Sequence, residues 1–510
     1  MHRYSFASFV LASVVVAQTP SLELDGGYHV GQIGIEIPNP SSLPGAVENV
    51  MSMRGTLLVH PDLTWSSTQT EHRVDELLQV THQVTGDAGT YALMSDSALL
   101  LDANPSMPGT DITWLGVKPD ATVLLGVNTV IGPVSWIRIC IQSSSGRQYS
   151  DLSGSYHVAS VRYAYGDPNG IVTITQSGIG TFDGVGSVSF TGSEQEVDSL
   201  GSITNRAASF SGAYTITTNG GLNVGGTLEG GFSANGDLFF VVGNDPASMT
   251  VELTVGVRVG PAYDFADFPG KWGTFDHALE IGHLSNPTAT TTLGLVELVD
   301  TSATTGSFTG TLGVAESSPA GTNSSMLSWN GTATLGAMGQ VTYQPTTGLP
   351  VTYSFAPDGD FYIGIRQLTV ANLSLGMRVC AGSNDYGSGT VGTGGEIPVQ
   401  VHTGFPYLGN ADFGIKVVNG LPGASAGMLI TLGAWPGIPF LGGTIWVDPG
   451  RLIAVPSRTL SPSGDATWDL PLPTNPIWLS HDLYTQVLVI DPGAPGGLAM
   501  TSGLQTVFCR

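Results

Sequence analysis

The chain has 510 residues, with 16 basic against 40 acidic side chains and a formal net charge of −24. At roughly 150 residues per domain, this length predicts three or four domains. A hydrophobic fraction of 41% is enough for several buried cores and excludes a wholly disordered chain. A groove for nucleic-acid phosphates needs clustered Lys and Arg, and the chain has only three lysines. Composition therefore excludes nucleic acid and an anionic membrane surface as partners.

The N-terminal segment has the layout of a secretory signal peptide. Arg3 supplies an early positive charge, residues 6–16 form an uncharged, mostly apolar run, and small side chains precede Gln18. We predict a signal peptide over residues 1–17, cleaved after Ala17, and an exported chain; the alternative is a buried N-terminal strand. The run is too short to span a bilayer, and no later run is long enough, so we expect no transmembrane segment in the mature chain.

Three segments of the chain open and close alike, which predicts three copies of one module. Each copy opens with a glycine followed two residues later by an aromatic side chain, and each closes with an arginine. The arginines, Arg138, Arg258 and Arg378, are 120 residues apart. Turn sequences stand upstream of the closing arginine at 119–122, 235–237 and 358–360. The predicted copies cover residues 22–143, 150–261 and 266–383.

Each copy consists of short alternating runs separated by glycine and asparagine. Residues 184–192 alternate with a period of two, as a half-buried strand does. Asn235-Gly236 and Asp358-Gly359 favour hairpin turns because glycine adopts the positive φ that such turns need. Enrichment in Ser, Thr and Val favours strands over helices. We therefore predict an all-β protein with three tandem antiparallel β-barrel-like repeats, followed by a β-sandwich-like C-terminal domain.

The opening aromatic residue and the closing arginine suggest how each repeat is closed. In an up-and-down barrel the first and last strands are neighbours, so a guanidinium can cover the ring that plugs one end. Gly270-Lys271-Trp272 with Arg378 resembles the G-x-W…Arg pattern of lipocalin and calycin barrels. The resemblance implies structural barrel-closing pairs, with tyrosine for tryptophan in two copies: Tyr28 with Arg138, Tyr156 with Arg258, and Trp272 with Arg378. The alternative is an edge-strand arginine in a β-sandwich or open meander.

The composition changes near residue 384. Residues 384–396 are rich in Gly, Ser and Thr, and we predict a linker there. Residues 397–510 contain strand-like runs closed by Asp-Pro-Gly turns at 448–450 and 491–493. Residues 386–390, 468–473 and 484–504 resemble a C-terminal module of large, mostly uncharacterised secreted bacterial proteins. The resemblance implies a β-sandwich-like accessory domain, and the Cys-containing opening that this family often has is absent here.

The chain has three cysteines, Cys140, Cys380 and Cys509. Three cysteines can form one bridge at most, and their spacing suits no zinc site. We predict that all three are buried small side chains.

Candidate catalytic and metal-binding motifs each have a simpler structural interpretation. Ser425 lies in a G-x-S-x-G motif, and His481 follows it, but a strand-like run rather than a helix comes next, so we predict a small-residue turn. On a strand, His277 and His283 lie about 20 Å apart and Glu280 points to the opposite face, so one metal ion cannot bind all three.

Two further groups of polar residues recur between the repeats. Asp237, Asp358 and Asp360 are turn residues that could bind Ca²⁺ weakly, but the alternating ligands of a calcium loop are absent. His29 and His157 recur in the first two copies, whereas Gly273 takes that place in the third, which is typical of a tolerated surface position. We predict no catalytic residue, no metal site and no cofactor.

The sequence leaves three functions open. Export, repetition and the missing catalytic motifs favour a non-catalytic structural or binding protein at the cell surface or outside the cell, with an unknown extracellular ligand or surface component as its partner. Barrel cavities would instead suit a carrier of small hydrophobic ligands. A secreted hydrolase would need a cleft with clustered acids or a Ser–His–acid set.

Overall fold

The structure is a computed structural model. It describes residues 26–37, 49–60, 62–75, 79–93, 98–102, 112–118, 121–127, 134–167, 170–243, 249–263, 265, 268–280, 287–318, 321–367, 370–379, 383–403, 406–475, 478 and 481–509. The predicted signal peptide lies outside the described residues. Within them the regular structure consists of strands and short 3₁₀ turns. These turns are Tyr149–Asp151, Ala337–Gly339, Thr393–Gly395, Pro449–Arg451 and Pro495–Gly497.

Three closed barrels of eight antiparallel strands follow one another along the chain, as predicted. The first contains β1 Gly26–Glu36, β2 Asn49–Val59, β3 Thr64–Asp75, β4 Val80–Leu93, β5 Ala98–Asp102, β6 Ile112–Val117, β7 Val123–Val127 and β8 Val134–Gln142. The second contains β9 Ser153–Asp167, β10 Gly170–Asp183, β11 Ser187–Val197, β12 Ile203–Ile216, β13 Gly221–Val224, β14 Leu228–Phe232, β15 Leu238–Gly243 and β16 Thr250–Arg258. The third contains β17 Gly270–Glu280, β18 Thr288–Ser302, β19 Thr305–Ser318, β20 Gly321–Leu335, β21 Gln340–Pro345, β22 Val351–Phe355, β23 Phe361–Gln367 and β24 Val370–Arg378.

Each barrel is closed by its first and last strands, which pair antiparallel. The second barrel shows how its interior is occupied. At one end, an aromatic and aliphatic cluster that includes Tyr156, Phe182 and Phe239 fills the space between the strands. Further along, the buried Glu194 carboxylate forms ion pairs with Arg162 and Arg206. The barrel interior is therefore apolar at the plugged end and charged beyond it.

The three barrels pack against one another in a closed ring, which we call the barrel ring, within one compact unit made of Leu24–Tyr91 and Leu99–Arg378. Strands β1 and β2 of the first barrel contact β14, β15 and β16 of the second. Strands β9 and β10 of the second contact β23 and β24 of the third, and β17 and β18 of the third contact β7 and β8 of the first. Each barrel therefore touches both others.

The C-terminal domain belongs to a second compact unit, which contains Val379–Arg510. Its strands are β25 Ser383–Tyr386, β26 Val399–His402, β27 Gly414–Val418, β28 Ser425–Thr431, β29 Ala434–Phe440, β30 Gly443–Val447, β31 Leu452–Ala454, β32 Ser457–Thr459, β33 Ala466–Asp469, β34 Asp482–Ile490, β35 Leu498–Met500 and β36 Gly503–Val507. They form a seven-stranded sheet, a three-stranded sheet and a two-stranded hairpin. Ile415 and Trp468 of the three-stranded sheet share one core with Met428 and Val487 of the larger sheet, which is the predicted sandwich-like arrangement.

The prediction of a linker over 384–396 is wrong. β25 pairs with β36 inside the large sheet, so this segment begins the C-terminal domain. The Thr393 backbone N–H donates to the Asp491 carboxylate at 2.6 Å, and Thr390 forms a bridge with Met500. The Gly, Ser and Thr composition reflects close packing here rather than an unstructured connection. For example, a Cβ at Gly392 would lie 2.5 Å from the Asp491 carboxylate.

Candidate functional site

The closing arginine lies over the opening aromatic ring in the second and third barrels. The guanidinium carbon of Arg258 is 5.1 Å from the centre of the Tyr156 ring, and that of Arg378 is 5.2 Å from the Trp272 ring. In both barrels the two residues are direct register partners on neighbouring strands. Both rings are fully buried, so the cation–π contact closes the apolar end of each barrel.

The first barrel is closed differently, and the predicted pairing of Tyr28 with Arg138 is wrong. The register partner of Tyr28 is Gln142, whereas Arg138 lies opposite Gln32. Arg138 donates from Nε to Gln32 Oε1 at 2.7 Å, and its guanidinium lies 5.0 Å from the centre of the Trp136 ring. Gln142 thus takes the position that arginine holds in the other two barrels, and the equal spacing of the three arginines is coincidental for the first copy.

In the first and second barrels, a turn before the seventh strand holds the aromatic plug in place. The Tyr28 hydroxyl donates to the Ala121 carbonyl at 2.8 Å, and the Tyr156 hydroxyl donates to the Gly236 carbonyl at 2.7 Å. Ala121, Gly236 and Gly359 occupy the same position of their turns, with φ of 58°, 72° and 67°. The backbone of this turn is therefore alike in all three barrels, although the side chains differ.

The same turn carries the carboxylate that pairs with the closing arginine. Arg258 Nε lies 2.9 Å from Asp237 Oδ1, and Arg378 Nε lies 3.1 Å from Asp360 Oδ1. The first barrel has two uncharged residues at these positions, Gln142 and Thr122, which still share the same backbone hydrogen bond. A barrel therefore has either both the closing arginine and the turn aspartate, as in the second and third, or neither of them, as in the first.

The three turns meet at a pocket with a volume of about 170 Å³, which we call the junction pocket. All three barrels contribute to its wall. The residues that line it are Lys118, Thr122 and Val123 from the first barrel, Ser233, Ala234, Asn235, Asp237 and Leu238 from the second, and Ala356, Asp358 and Phe361 from the third. The pocket therefore exists only where the three barrels are packed together.

The junction pocket contains charges of both signs. Lys118 Nζ lies 3.3 Å from Asp360 Oδ2, which links the first barrel to the third. Asn235 Nδ2 donates to Asp237 Oδ2 at 2.9 Å. Burial raises the pKa of Asp237, and the nearby charge of Asp358 raises it further. Burial also raises the pKa of Asp360, and the Lys118 ammonium opposes that shift.

The structure brings together three aspartates from two turns that lie in different repeats, at 235–237 and 358–360. Asp237 of the second barrel and Asp358 of the third line the same pocket, and Asp358 is exposed. Like charges from neighbouring barrels repel each other there, so a cationic group placed between them would be stabilised. Lys118 joins this group although no sequence motif marked it. The signal that could have found the site was the recurrence of one turn at the same place in each copy.

Two histidines join neighbouring barrels, so their interpretation as tolerated surface positions is wrong. His29 Nε2 of the first barrel lies 3.0 Å from the Asn219 carbonyl oxygen of the second. His157 Nε2 of the second lies 2.7 Å from the Met338 carbonyl oxygen of the third. Burial lowers the pKa of both imidazoles, so the neutral form with Nε2–H as donor is favoured.

A third histidine lies where all three barrels meet. His277 Nδ1 of the third barrel lies 3.1 Å from Ser135 Oγ of the first. Its ring centre lies 6.0 Å from that of Tyr163 in the second barrel, edge to face. Burial lowers the pKa of His277 to about 3, so the ring is neutral in the folded protein. His283, its predicted neighbour in a metal cluster, lies outside the described residues.

The serine and histidine of the candidate hydrolase motif lie in ordinary structural positions. Ser425 is the first residue of strand β28 and pairs with Thr459, so the motif lies at the start of a strand rather than at a strand-to-helix turn. His481 is exposed and contacts the Trp478 ring. Among the described residues, no group of three or more His, Cys, Asp or Glu side chains is arranged to hold a metal ion.

The cysteines differ from one another. Cys140 is a free, buried thiol, and burial raises its pKa to about 12. Cys509 is disulfide-bonded, so the prediction that all three are simply buried small side chains is wrong. Cys380 lies outside the described residues. A C-terminal cysteine gave no sign of its bonding state from sequence because the connectivity of cysteines depends on the fold.

The fold and the junction pocket define an all-β protein made of three associated eight-stranded barrels and a β-sandwich-like domain. No helix in the described part of the chain has the length and apolar character needed to cross a membrane. No protein-family model matches the sequence, and no curated protein matches it. The resemblance of residues 386–510 to a secreted bacterial module therefore stays a prediction.

Solved structures give weak matches. Transferrin binding protein B, isotype 1, from serogroup B Neisseria meningitidis is 12% identical, covers 70% of this chain and 77% of its own, and has a TM-score of 0.20. A loop-deletion mutant of OmpT, an outer membrane protein of Vibrio cholerae, is 9% identical, covers 69% of this chain and 97% of its own, and has a TM-score of 0.11. Likenesses at these TM-scores assign neither a fold nor a function to this chain.

Proposed function

We propose that this chain is an exported, non-catalytic β-rich binding protein that acts at the cell surface or outside the cell. The observation that carries the proposal is the junction pocket, because three separate barrels converge to build it. Its lining combines polar side chains with three buried apolar ones, Val123, Leu238 and Phe361. A pocket of this kind suits recognition of a small group with a polar head.

The ligand that fits best carries an ammonium group on a short apolar stem. Lys118 pairs with Asp360, and Arg258 pairs with Asp237. The exposed carboxylate of Asp358 therefore remains to receive a cation. The net charge of −24 adds a field that attracts cations towards the molecule. The pocket can accommodate only a few heavy atoms, so the guest would be a small amine or the amine end of a larger partner.

The interior of the second barrel supports binding at the junction rather than transport of a hydrophobic ligand inside that barrel. In the second barrel, aromatic rings occupy one end and the Glu194 ion pairs occupy the next layer. Placing an apolar ligand against these charges would cost their solvation or pairing energy. The Arg258 and Arg378 side chains are engaged in closing barrels, which supports a structural rather than a catalytic role for them.

The disulfide at Cys509 supports the proposed location. Disulfides persist mainly in oxidising surroundings outside the cytosol. The predicted signal peptide is an independent argument from sequence for the same location. Export places the protein where a small amine or an amine-bearing surface component could reach the junction pocket.

The experiment is a titration of the mature chain with n-butylammonium, followed by NMR or calorimetry. We expect saturable binding of the ammonium and none of butyrate, which has the same stem and the opposite charge. Asp358→Asn should weaken binding about tenfold, because it removes one charge-assisted hydrogen bond. The matched control is Asp412→Asn, at an exposed position in the C-terminal domain, which should leave affinity unchanged. Equal binding of both probes, or none of either, would overturn the proposal.

A further inference from the structure

The first barrel contains an arginine whose charge has no carboxylate partner. Gln32 lies four residues after the Tyr28 plug on β1, so both side chains point into the barrel, and Arg138 is the register partner of Gln32 on β8. Arg138 donates from Nε to Gln32 Oε1 at 2.7 Å, and its guanidinium carbon lies 5.0 Å from the centre of the Trp136 ring. Within the described part of the chain, no carboxylate forms an ion pair with this guanidinium.

The carboxylates that point into the same barrel from β1 and β3 are already engaged. Glu71 accepts from Arg73 Nε at 2.9 Å and from Gln83 Nε2 at 3.3 Å. Glu36 accepts from Arg73 Nη1 at 3.2 Å and from Asn49 Nδ2 at 2.8 Å. A single arginine of β3 therefore uses both acids, and neither is left for the guanidinium on β8.

Two further groups near Arg138 do not neutralise it. Cys140 is the next residue on the same face of β8, but burial raises the pKa of its thiol to about 12, so the thiol is uncharged near neutral pH. Asp87 favours the charged guanidinium from a distance, but it is exposed and forms no ion pair with Arg138. Arginine also keeps its proton at any ordinary pH, so Arg138 cannot escape the cost of burial by losing its charge.

The surroundings of Arg138 suit a small anion. A buried charge without a counter-charge is costly, and a charge of opposite sign removes that cost. Because only Nε is used by Gln32, the N–H groups on Nη1 and Nη2 form a fork that can bind one anion. Arg138 keeps part of its accessible surface, whereas Gln32 and Trp136 beside it are only 3% and 9% exposed. The free space therefore suits a compact ion rather than a molecule with a stem.

We propose that the first barrel binds one small inorganic monoanion, such as chloride, against the Arg138 guanidinium. The anion supplies the counter-charge that the chain itself does not provide there. The site is independent of the amine site, because the lining of the junction pocket does not include Arg138. The net charge of −24 opposes the approach of anions, so we expect an affinity in the millimolar range. Butyrate does not fit beside the guanidinium because of its stem.

Thermal unfolding of the mature chain in sodium chloride and in sodium gluconate tests the proposal. At equal ionic strength both salts screen surface charges alike, but gluconate is too large for the site. A ligand that binds only the folded state raises stability with its concentration. We therefore expect the melting temperature to rise further in chloride than in gluconate. The chloride NMR signal should also broaden when protein is added, and it should sharpen again when bromide competes.

Replacement of the arginine separates the proposed site from other effects of salt. Arg138→Met keeps an unbranched side chain over the Trp136 ring but removes the charge. We expect this variant to lose both the chloride-specific stabilisation and the line broadening. In gluconate it should melt at the same temperature as the wild type or higher, because no unpaired charge remains. The matched control is Arg206→Met, which removes a paired arginine of the second barrel and should keep the chloride response.

The outcomes that contradict the proposal are distinct. Equal melting temperatures of the wild type in the two salts, with no line broadening, overturn it. A chloride effect that persists in Arg138→Met overturns the assignment to this arginine. If Arg138→Met does not fold, Arg138→Lys replaces it, because lysine keeps the charge but lacks the planar fork. Chloride binding should then weaken several-fold, and an unchanged affinity would likewise overturn the assignment.

Discussion

At the residue scale, Arg258 and Asp237 form a pair that the fold can replace by uncharged residues only when both change together. Both side chains are largely buried, and the guanidinium also donates to the carbonyls of Asp151 and Gly236 at 2.8 and 3.0 Å. The first barrel shows that the fold accepts an uncharged alternative, since it has glutamine and threonine at the two positions. Removing one charge alone is a different change, because the other is left without its partner.

We therefore expect Arg258→Gln to lower the free energy of unfolding by about 2–3 kcal/mol. Adding Asp237→Thr should restore at least half of that loss, because no unpaired carboxylate remains. Urea denaturation of the wild type, both single variants and the double variant measures the coupling. Simple additivity of the two single effects would show that the pair is not a unit.

Ala121 has a backbone conformation that suits glycine. Its φ is 58°, and the other two barrels have glycine at this position of the turn. A residue with a Cβ in the left-handed region costs roughly 1 kcal/mol. We expect Ala121→Gly to raise stability by about 0.5 kcal/mol after the extra entropy of glycine in the unfolded chain is subtracted. The reverse change, Gly236→Ala, should destabilise strongly, because its Cβ would lie 2.0 Å from the Asp151 carbonyl oxygen.

At the element scale, glycines in the strands allow the barrels to approach one another. A Cβ at Gly31 of β1 would lie 2.5 Å from the Phe240 ring of the second barrel. Gly116 of β6 faces Phe275 of the third barrel in the same way, also at 2.5 Å. Neither glycine has a positive φ, so close packing rather than turn geometry requires it.

Gly31→Ala should accordingly cost about 1–3 kcal/mol through overpacking between the first two barrels. The matched control is Gly86→Ala on β4, where the nearest atom to a new Cβ is 3.5 Å away. That control should stay within about 0.5 kcal/mol of the wild type. Thermal unfolding followed by circular dichroism compares the two. Equal melting temperatures would contradict the packing described for the ring.

Local patterns in the sequence predicted the strands and the barrels, but not their association. Alternation with a period of two and Asn-Gly or Asp-Gly turns depend on neighbours in the chain, so they are visible in one sequence. The contact of His29 with Asn219 joins residues that are 190 positions apart and has no local signal. The misplaced pairing of Arg138 has a similar cause. Arg138 lies four residues before Gln142, the residue that is actually opposite Tyr28. Sequence alone favoured the arginine, because only the strand register shows that Gln142 holds this position.

The junction pocket was unpredictable for the same reason. Each of its aspartates was recognised as a turn residue in its own copy, which is correct for the local backbone. Their proximity depends on the closure of three barrels into a ring, and Lys118 enters the pocket through that closure alone. The only sequence feature that linked these residues was the turn that recurs at the same place in each copy of the repeat.

At the scale of the whole molecule, buried histidines make stability depend on pH. Burial lowers the pKa of His29 and His157, that of His277 to about 3 and that of His402 to about 4. Below their unfolded pKa of about 6.5 these histidines bind protons more readily in the unfolded chain than in the folded one. Stability should therefore be greatest above pH 6.5 and should fall steadily as the pH drops towards 3.

His277→Gln tests the largest contribution from the barrel ring, because glutamine can still bond to Ser135 but does not titrate. We expect the variant to lose less stability between pH 6.5 and pH 4 than the wild type, by on the order of 3 kcal/mol. His481→Gln, at an exposed position, is the control and should follow the wild type. Parallel curves for all three proteins would contradict the assignment of His277 to the centre of the ring.

The central claim is that three barrels close into a ring whose junction forms a pocket, and a zero-length cross-link tests it most directly. A carbodiimide joins an amine to a carboxylate only when the two are in contact, and Lys118 Nζ lies 3.3 Å from Asp360 Oδ2 across 242 residues of sequence. The account predicts an intramolecular Lys118–Asp360 link in the monomer by peptide mass spectrometry, lost in Asp360→Asn. Lys118 linked instead to carboxylates within its own barrel, with none to Asp360, would contradict the ring.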